Sequence, residues 1–529
     1  MSRPRKNVLV VVLDGMRADR MGCYGNPRQT SPAIDQFVKK STLCLNHYTI
    51  GHNSMQSHTS LFTGVHPQFH GCPDNWSYYD YARKKLPTLT QLLRKDGYYI
   101  YGISSDANLF WPARGMNHGY HRYVYLRKSK AVRSESSLIG KLTKMRYGKA
   151  RGMYEVILHV SKKLDYKFER YAHNSYQRDS ERFYLKNDDT GQLLVNTLTR
   201  DMERFPKDRP FFAFANILET HSPYLAPRHF RETFGKVAIS DRLRRALFSY
   251  GDRLWTPEPL SDEEKEALGI LYDCEVRYVD HLVEQLLKAL ERQGRLEDTV
   301  VIFTSDHGGI LGEQEGQVGP IRNTYQGIMK TPLIVYSPGH PGRRETRLTS
   351  IVDVFSTVLA ETGTPNDRKF NYQCKNVLSV DWDREFVVCE VPALPAPKDG
   401  PYTRKQVDAL IAAQNVNRTM IFQDAKFIWR SNGKHLYFDL KQDPKEISNL
   451  FPEKMSARQY QELMRKLLAW YESQWDSDTP FCLERLESTF WNPLRDQAGP
   501  PGVTLEPDQT PVEEETIADK LNAIVAKPF

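Results

Sequence analysis

Three groups of polar side chains stand where the sequence predicts that buried strands end. Asp14 directly follows the apolar run NVLVVVL, Asp306 and His307 directly follow TVVIFTS, and Ser54 comes shortly after the strand-like LCLNHYTI. Because ligands of open parallel sheets bind beyond the carboxyl ends of the strands, these groups can meet at one place. Two carboxylates at buried strand ends, together with an imidazole, indicate a divalent metal ion. For each aspartate alone, capping of a helix or a turn is an equal alternative.

Ser54 is the candidate nucleophile of this predicted site. The stretch NSMQSHTSLFTG, residues 53 to 64, predicts a helix that begins close to Ser54 and ends at Gly64. A hydroxyl at that end faces the positive pole of the helix dipole, where an anionic ester is also held. A metal-bound hydroxyl is partly deprotonated at neutral pH and becomes a nucleophile. The alternative is that Ser54 only caps the helix.

The elements that position these residues alternate between buried strands and amphipathic helices. Further strands are predicted in YYIYGIS, FFAFANIL and TPLIVYSP, and helices in SPAIDQFVKK, LPTLTQLLRKDG and residues 261 to 290. This alternation predicts an α/β fold with a mostly parallel central sheet and helices on both faces. Near the C-terminus, REFVVCEVP, NRTMIFQDAKFIWR and KHLYFDL precede the helical ARQYQELMRKLLAWYESQW. They predict a small antiparallel sheet with one helix.

The predicted domain organisation follows from the order of these predicted strands and helices. Residues 1–380 form the catalytic domain, 381–480 a small C-terminal α+β subdomain, and 481–529 a Pro-rich, acidic tail on the surface. Residues 127–205 read as a basic helical insertion. It forms either a lid over the site or a solvated excursion whose charges keep it soluble.

The amino-acid composition indicates which kinds of binding partner and which cellular compartment to expect. The net charge of +8, from 73 Lys and Arg against 65 Asp and Glu, favours small anionic substrates and is too mild to require nucleic acid. Seven cysteines without C-x-x-C spacing indicate neither a disulfide framework nor a zinc cluster. The first apolar run is too short for a signal peptide, and no run is long enough to span a membrane. A cytoplasmic protein is expected, and its oligomeric state stays open.

Several motifs in order resemble the sulfatase family of the alkaline phosphatase superfamily. They are VLVVVLDGMRADRMGCYG, SPAIDQF, SMQSHTSLFTGVHPQFHG, ETHSPY, FTSDHGGILGE, KTPLIVYSPG and HLYFDLKQDPKEISNL, and they extend over about residues 6 to 475. The resemblance implies an alkaline phosphatase-like fold and a metal-dependent ester hydrolase.

The departures from the family pattern concern the nucleophile and the metal ligands. Ser54 matches the position that formylglycine sulfatases modify, but Gln56 and His58 replace the Pro and Arg that modifying enzymes read, which implies an unmodified serine. Gly15 also stands where sulfatases carry a second Asp next to the first.

The implied metal ligands are Asp14, Ser54, Asp306 and His307, a set similar to that of the family's phosphonate and phosphodiester hydrolases and phosphoglycerol transferases. The residue corresponding to His307 is Asn in many sulfatases. An imidazole ligand favours one Mn or Zn ion over Ca.

Other positions carry over from the family one by one. His221 in ETHSPY matches a histidine that contacts the ester or protonates the leaving group, with a core histidine bonded to a backbone carbonyl as the alternative. GISSDANLF replaces the family's Gly-Lys-Trp-His stretch, which places Asn108 near the site. Arg322, or less well Lys330, matches a cationic substrate ligand, and His58 stands in for the arginine that steadies the nucleophile.

These residues predict a metal-dependent hydrolase of phosphate mono- or diesters, or of sulfate esters, that uses Ser54 as covalent nucleophile. Phosphate is favoured because an unmodified serine adduct lacks the route by which a formylglycine diol expels sulfate. The alternatives are a sulfatase proper, a phosphoryl-alcohol transferase, and a non-catalytic family member that binds an anion.

Overall fold

The computed structural model describes residues 5–72, 86–105, 118–126, 190–248, 258–314, 317–366, 374–392 and 416–473. Three predictions from the sequence lie outside these ranges: Asn108, residues 127–189 of the insertion, and the tail from 481 onwards. The last part of the predicted insertion is described, and it contains the helix Thr190–Met202.

An eight-stranded sheet forms the centre of the molecule, in the order β10-β2-β9-β6-β1-β5-β3-β4. All neighbours pair in parallel except β9, which is antiparallel to both β2 and β6. The strands are β1 Asn7–Leu13, β2 Thr42–Tyr48, β3 Tyr99–Ser104, β4 Arg122–Tyr125, β5 Phe211–Ile217, β6 Thr299–Thr304, β9 Leu333–Tyr336 and β10 Arg343–Ser350, and a separate two-stranded sheet joins β7 Ile310–Leu311 to β8 Val318–Gly319.

Helices cover both faces of this sheet because its central strands are apolar on both sides. Successive residues of β1 point to opposite faces, so Leu9 and Val11 belong to one buried cluster and Val8 and Val10 to the other. The first cluster includes residues of the helices Pro32–Val38, Thr190–Met202, Asp241–Phe248 and Asp262–Arg292. The second includes residues of Ser54–Thr63, Leu89–Lys95, Gln326–Met329 and Asp353–Thr362. The predicted α/β fold is confirmed.

A second, antiparallel sheet lies near the C-terminus in the order β11-β12-β13-β14. Its strands are β11 Val387–Val391, β12 Asn417–Ile421, β13 Ala425–Arg430 and β14 Leu436–Asp439, and the helix Ala457–Ser473 packs against it. Glu390 N on β11 donates to Ile50 O at 2.9 Å, which links this sheet to the segment before the helix Ser54–Thr63. Within the described ranges, no helix combines the length and apolarity needed to cross a membrane.

His435 connects the β13–β14 hairpin to the C-terminal helix and makes the stability of this part pH-dependent. Its Nδ1 accepts from Arg430 N at 3.1 Å, and its Nε2 lies 3.3 Å from Tyr460 Oη. Burial, and then Arg430, lower the pKa of His435 to about 4. Protonation would set an Nδ1–H against the Arg430 N–H, so the folded state retains the neutral ring.

We expect acid to weaken this connection. The folded pKa lies below the unfolded value, so the stabilisation is present above about pH 6.5 and is lost as pH falls towards 4. Urea unfolding at pH 7 and pH 5 measures this loss, which for the wild type exceeds that of His435→Gln by about 2 kcal/mol. Equal losses in the two proteins would contradict the assignment.

Candidate active site

Five of the predicted site residues meet at one edge of the central sheet. Strands β5, β1, β6 and β2 run in the same direction, so their carboxyl ends lie at the same edge. The residues that follow these ends are, in that order, His221, Asp14, the pair Asp306 and His307, and Ser54. The sheet topology thus brings together residues that are far apart in sequence.

Asp14 is held by the loop that follows β5. Its backbone N donates to Ile217 O at 2.8 Å, and its backbone O accepts from Thr220 Oγ1 at 2.7 Å. Asn216 Nδ2 donates to its Oδ2 at 3.1 Å. Because the Asp14 side chain is completely buried, these contacts fix its direction at the strand end.

Asp306 presents one carboxylate oxygen to the site. Oδ1 accepts from the backbone N of Gly15 at 3.2 Å and of His307 at 2.9 Å. Oδ2 is buried and has no hydrogen-bond partner among the residues that the structure describes. Burial acts to raise the pKa of this carboxyl, but the neighbouring His307 and His58 hold it below its usual value. A charged oxygen therefore faces the centre.

His307 turns its Nε2 to the same centre. Its Nδ1 lies 2.9 Å from Gly308 O and can only donate there, so Nε2 is the nitrogen that offers a lone pair whenever the ring is neutral. Nε2 lies 3.2 Å from Ser54 Oγ, 3.4 Å from Asp306 Oδ2 and 3.9 Å from Asp14 Oδ1. An imidazole fixed by a carbonyl on one side and facing carboxylates on the other fits a divalent metal ion.

His221 belongs to the same cluster. One ligand atom each from Asp14, His221 and His307 lie within 4.8 Å of one another. The His221 ring centroid is 5.8 Å from that of His307, and its Nδ1 lies 3.0 Å from Ser222 O. The carbonyl contact expected of a core histidine is thus present, but the half-buried ring lies beside the candidate metal ligands Asp14 and His307.

Ser54 is the first residue of its helix and does not cap it. Asn53 is the N-cap, since its side chain accepts from Gln56 N at 3.0 Å, and Gly64 ends the helix with φ of +70°. The Ser54 hydroxyl is therefore available to contact His307 Nε2. The capping role, which was the alternative for Ser54, belongs to its neighbour.

His58 lies one turn further along and supports Ser54. Its Nδ1 is 2.8 Å from Ser54 O and 3.7 Å from Asp306 Oδ2, and its ring meets Phe214 edge to face. The Thr49 hydroxyl makes a second link, since it bonds Ser57 Oγ at 2.8 Å and donates to Asp306 O at 2.5 Å. His58 and Thr49 thus both connect the helix to the segment that contains Asp306.

The two predicted cationic ligands differ in placement. The Arg322 guanidinium donates to Pro392 O and lies near enough to His52 to act on its pKa. The Lys330 ammonium lies 5.9 Å from the Tyr48 ring centroid, and Asp19 is the carboxylate that acts on it. None of the described contacts of Lys330 is with Ser54, Asp306 or His307.

His52 is a buried residue near the candidate site that the sequence interpretation did not single out. It lies two residues before Ser54, and its side chain is only 6% exposed. Burial first, then Arg322 and His307, lower the pKa of His52 well below its usual value. Its closeness in sequence to Ser54 was the available signal, just as Asn216 was a polar residue within the apolar run FFAFANIL.

Gly15 has no room for the second aspartate of formylglycine sulfatases. Its φ is +78°, and a Cβ would lie 2.9 Å from Thr220 O and 3.1 Å from His221 Cα. We expect Gly15→Asp to lower the free energy of unfolding by roughly 2 kcal/mol or more and to bind no additional metal. Urea unfolding and metal analysis test this, with Gly25→Asp as control, because Gly25 has φ of +103° in open space. A stable Gly15→Asp protein that bound two ions would contradict it.

A sequence model of a known family matches this chain. The model, described as Sulfatase, covers residues 6–364. The chain belongs to the sulfatase family. An arylsulfatase of Clostridium perfringens is 22% identical over 506 residues, which are 88% of this chain and 94% of that protein.

Two solved structures share the fold. A phosphonate monoester hydrolase of Agrobacterium radiobacter has a TM-score of 0.63 and 18% identity, over 88% of this chain and 96% of its own. A protein in complex with its substrate D-glucosamine-2-N,6-O-disulfate has a TM-score of 0.63 and 19% identity, over 90% of this chain and 99% of its own. The predicted alkaline phosphatase-like fold and enzyme class are confirmed: this is a sulfatase-family ester hydrolase. Proteins of this family bind a divalent metal ion, and Asp14, His221 and His307 fit one.

Proposed function

We propose that the chain hydrolyses anionic esters of phosphorus or sulfur with a bound divalent metal ion and with Ser54 as the covalent nucleophile. The observation that carries the proposal is the contact of 3.2 Å between Ser54 Oγ and His307 Nε2, at the first residue of a helix. Two buried carboxylates, Asp14 and Asp306, lie beside this contact. A serine with a purely structural role would cap the helix, and Asn53 already does so.

Asp14, Ser54, Asp306 and His307 would hold the ion, and His221 is near enough to join them. The buried Asp306 Oδ2 and the lone pair on His307 Nε2 are the donor atoms that support this assignment. When bound, a divalent ion neutralises the carboxylates, polarises the ester as a Lewis acid and lowers the pKa of a hydroxyl beside it. One imidazole among the ligands favours manganese or zinc over calcium.

Separate residues of the chain would carry out the separate steps of the reaction. Ser54 Oγ loses its proton to solvent water and attacks the phosphorus or sulfur atom, the bond from that atom to the alcohol oxygen breaks, and the phosphoryl or sulfuryl group stays on Ser54. Backbone N–H groups at the start of the helix bind the anionic oxygens. His221, with Nδ1 directed to Ser222 O, gives the leaving alcohol a proton from Nε2 when the ring carries both protons. Water cleaves the Ser54 adduct and releases the inorganic anion.

Phosphorus esters are the first substrate class that we propose, and sulfate esters the second. An unmodified serine adduct is released only by attack at phosphorus or sulfur, which favours phosphorus. Gln56 and His58, in place of the Pro and Arg that modifying enzymes read, support an unmodified Ser54. The similar structures include a phosphonate monoester hydrolase and a protein with a sulfated sugar as its substrate, so both classes are represented.

A panel of nitrophenyl esters tests this function. Phosphate monoester, phosphodiester, phosphonate and sulfate esters are assayed with added manganese, zinc or calcium, and after removal of metal by a chelator. We expect turnover of phosphorus esters, dependent on manganese or zinc. Turnover of sulfate esters alone would identify a sulfatase, and transfer to an added alcohol in place of water would identify a transferase. Anion binding without turnover of any ester would contradict the proposal.

A further inference from the structure

His52 has a buried imidazole that Gln56 contacts, but one of its ring nitrogens has no hydrogen-bond partner among the described residues. Its Nδ1 is buried and forms no hydrogen bond with any residue in the described ranges. Leaving a buried polar atom without a hydrogen bond costs about 1–3 kcal/mol, so a structural core histidine is normally bonded. His435 and His307, for comparison, both place Nδ1 within 3.1 Å of a backbone atom. Nδ1 of His52 is therefore the atom that can bind an additional group.

The surroundings of His52 are those of the active site. His307, which contacts Ser54, and Arg322, from the segment before the helix Gln326–Met329, are both close enough to act on its charge. The imidazole thus lies near a predicted metal ligand and near the cation that matches the family's substrate ligand. A small anion held beside Ser54 would be within the same group of side chains.

The backbone next to His52 is fixed by contacts with β11 and with Gln56. Gly51, which precedes it, forms a bridge with Glu390 of β11. The Gln56 side chain covers Gly51 so closely that a Cβ there would lie 2.6 Å from Gln56 Oε1. That Oε1 accepts from Asn53 Nδ2 at 2.7 Å, and Gln56 Nε2 donates to Glu390 O at 3.4 Å. Gln56, the residue that replaces the family's proline, is therefore a positioning residue for His52.

We propose that His52 is a substrate-binding residue that, with Arg322, holds a non-reacting oxygen of the ester's phosphoryl or sulfuryl group. This assignment rests on the proposed function, since it places the anionic group next to Ser54. It also explains the glutamine at position 56, because Gln56 holds the segment 51–53, which contains His52, against β11. The ligand class is a tetrahedral oxyanion, which both an ester substrate and the inorganic product present.

Binding of inorganic phosphate and sulfate to the metal-loaded protein tests this role without depending on turnover. Calorimetry compares the wild type with His52→Ala and with His52→Gln, which keeps a hydrogen-bonding side chain, and metal content is measured on each. We expect His52→Ala to weaken anion binding at least about tenfold, the value of one hydrogen bond, with unchanged metal content. His52→Gln should lose less. If the alanine variant fails to fold, His52→Gln alone should still bind the anion more weakly than the wild type.

The outcomes separate the two proposals. Equal anion affinity in the wild type and both variants would overturn the role of His52 and leave the ester hydrolase proposal intact. Loss of metal together with loss of anion binding would show that His52 acts on the metal site and would also overturn the role. A wild type that neither binds an oxyanion nor hydrolyses any ester would overturn the proposed function, and the His52 assignment with it.

Discussion

Ser54→Ala is expected to lower kcat at least about 10³-fold on the best ester substrate, because it removes the atom that forms the covalent intermediate. The change deletes one oxygen from a residue that does not cap its helix, so thermal unfolding should stay close to that of the wild type. Bound metal should also remain, since Asp14, Asp306 and His307 keep their donor atoms. Steady-state kinetics and metal analysis on the same preparation measure both effects.

Ser60→Ala is the matched control for this variant. Ser60 lies on the same helix and is also buried, but its Oγ lies 2.9 Å from His70 Nε2 and not at the sheet edge. Its replacement should cost about 1 kcal/mol of stability through one hydrogen bond and leave kcat within about twofold. If Ser54→Ala behaved like Ser60→Ala, another group would have to be the nucleophile.

His307→Ala is expected to have the second large effect, on the metal itself. It removes the Nε2 that faces Asp14 and Asp306. The negative charge of these two buried carboxylates is then less well stabilised. We expect metal affinity to fall at least about 100-fold and activity at limiting metal to fall with it, with partial recovery at high metal concentration. His340→Ala is the control, because His340 is a half-exposed residue paired with Glu361 outside the site.

A conservative variant at the same position distinguishes a change in which metal ion is preferred from a loss of metal binding. His307→Asn exchanges a nitrogen ligand for an amide oxygen and should shift the preference from manganese or zinc towards calcium. Activity titrations with the three ions show this as a change in their order. An unchanged order would mean that His307 does not bind the metal.

The sequence predicted the fold well where the pattern was long and regular. The apolar run before Asp14 forms a strand buried on both faces, and the segment that begins at residue 261 forms a 31-residue helix. Long periodic patterns predict an element more reliably than short ones. The direction of β9 was not predictable, since periodicity shows that a strand is buried but not which way it runs. The helix Thr190–Met202 also packs into the core, although it lies within the predicted insertion, residues 127–205.

The sequence predicted which residues come together at the candidate site, but not all of their contacts. Strand ends and residue types indicated Asp14, Asp306 and His307, and the structure brings them together. The N-cap was assigned to Ser54 as an alternative, whereas one residue earlier, Asn53, makes the bond, because cap identity depends on backbone angles. The placement of Lys330 beside Tyr48 results from tertiary packing that no local pattern contains.

The most direct test is the mass of the peptide that contains Ser54, measured on the resting protein and after rapid acid quenching during turnover of a nitrophenyl phosphate or phosphonate ester. We predict an ordinary serine in the resting protein and, during turnover, one phosphoryl or phosphonyl group on Ser54 that is absent from Ser54→Ala. A resting mass lower by about two units, the loss of two hydrogens that accompanies formylglycine formation, or an adduct on any other residue, would contradict an unmodified Ser54 nucleophile.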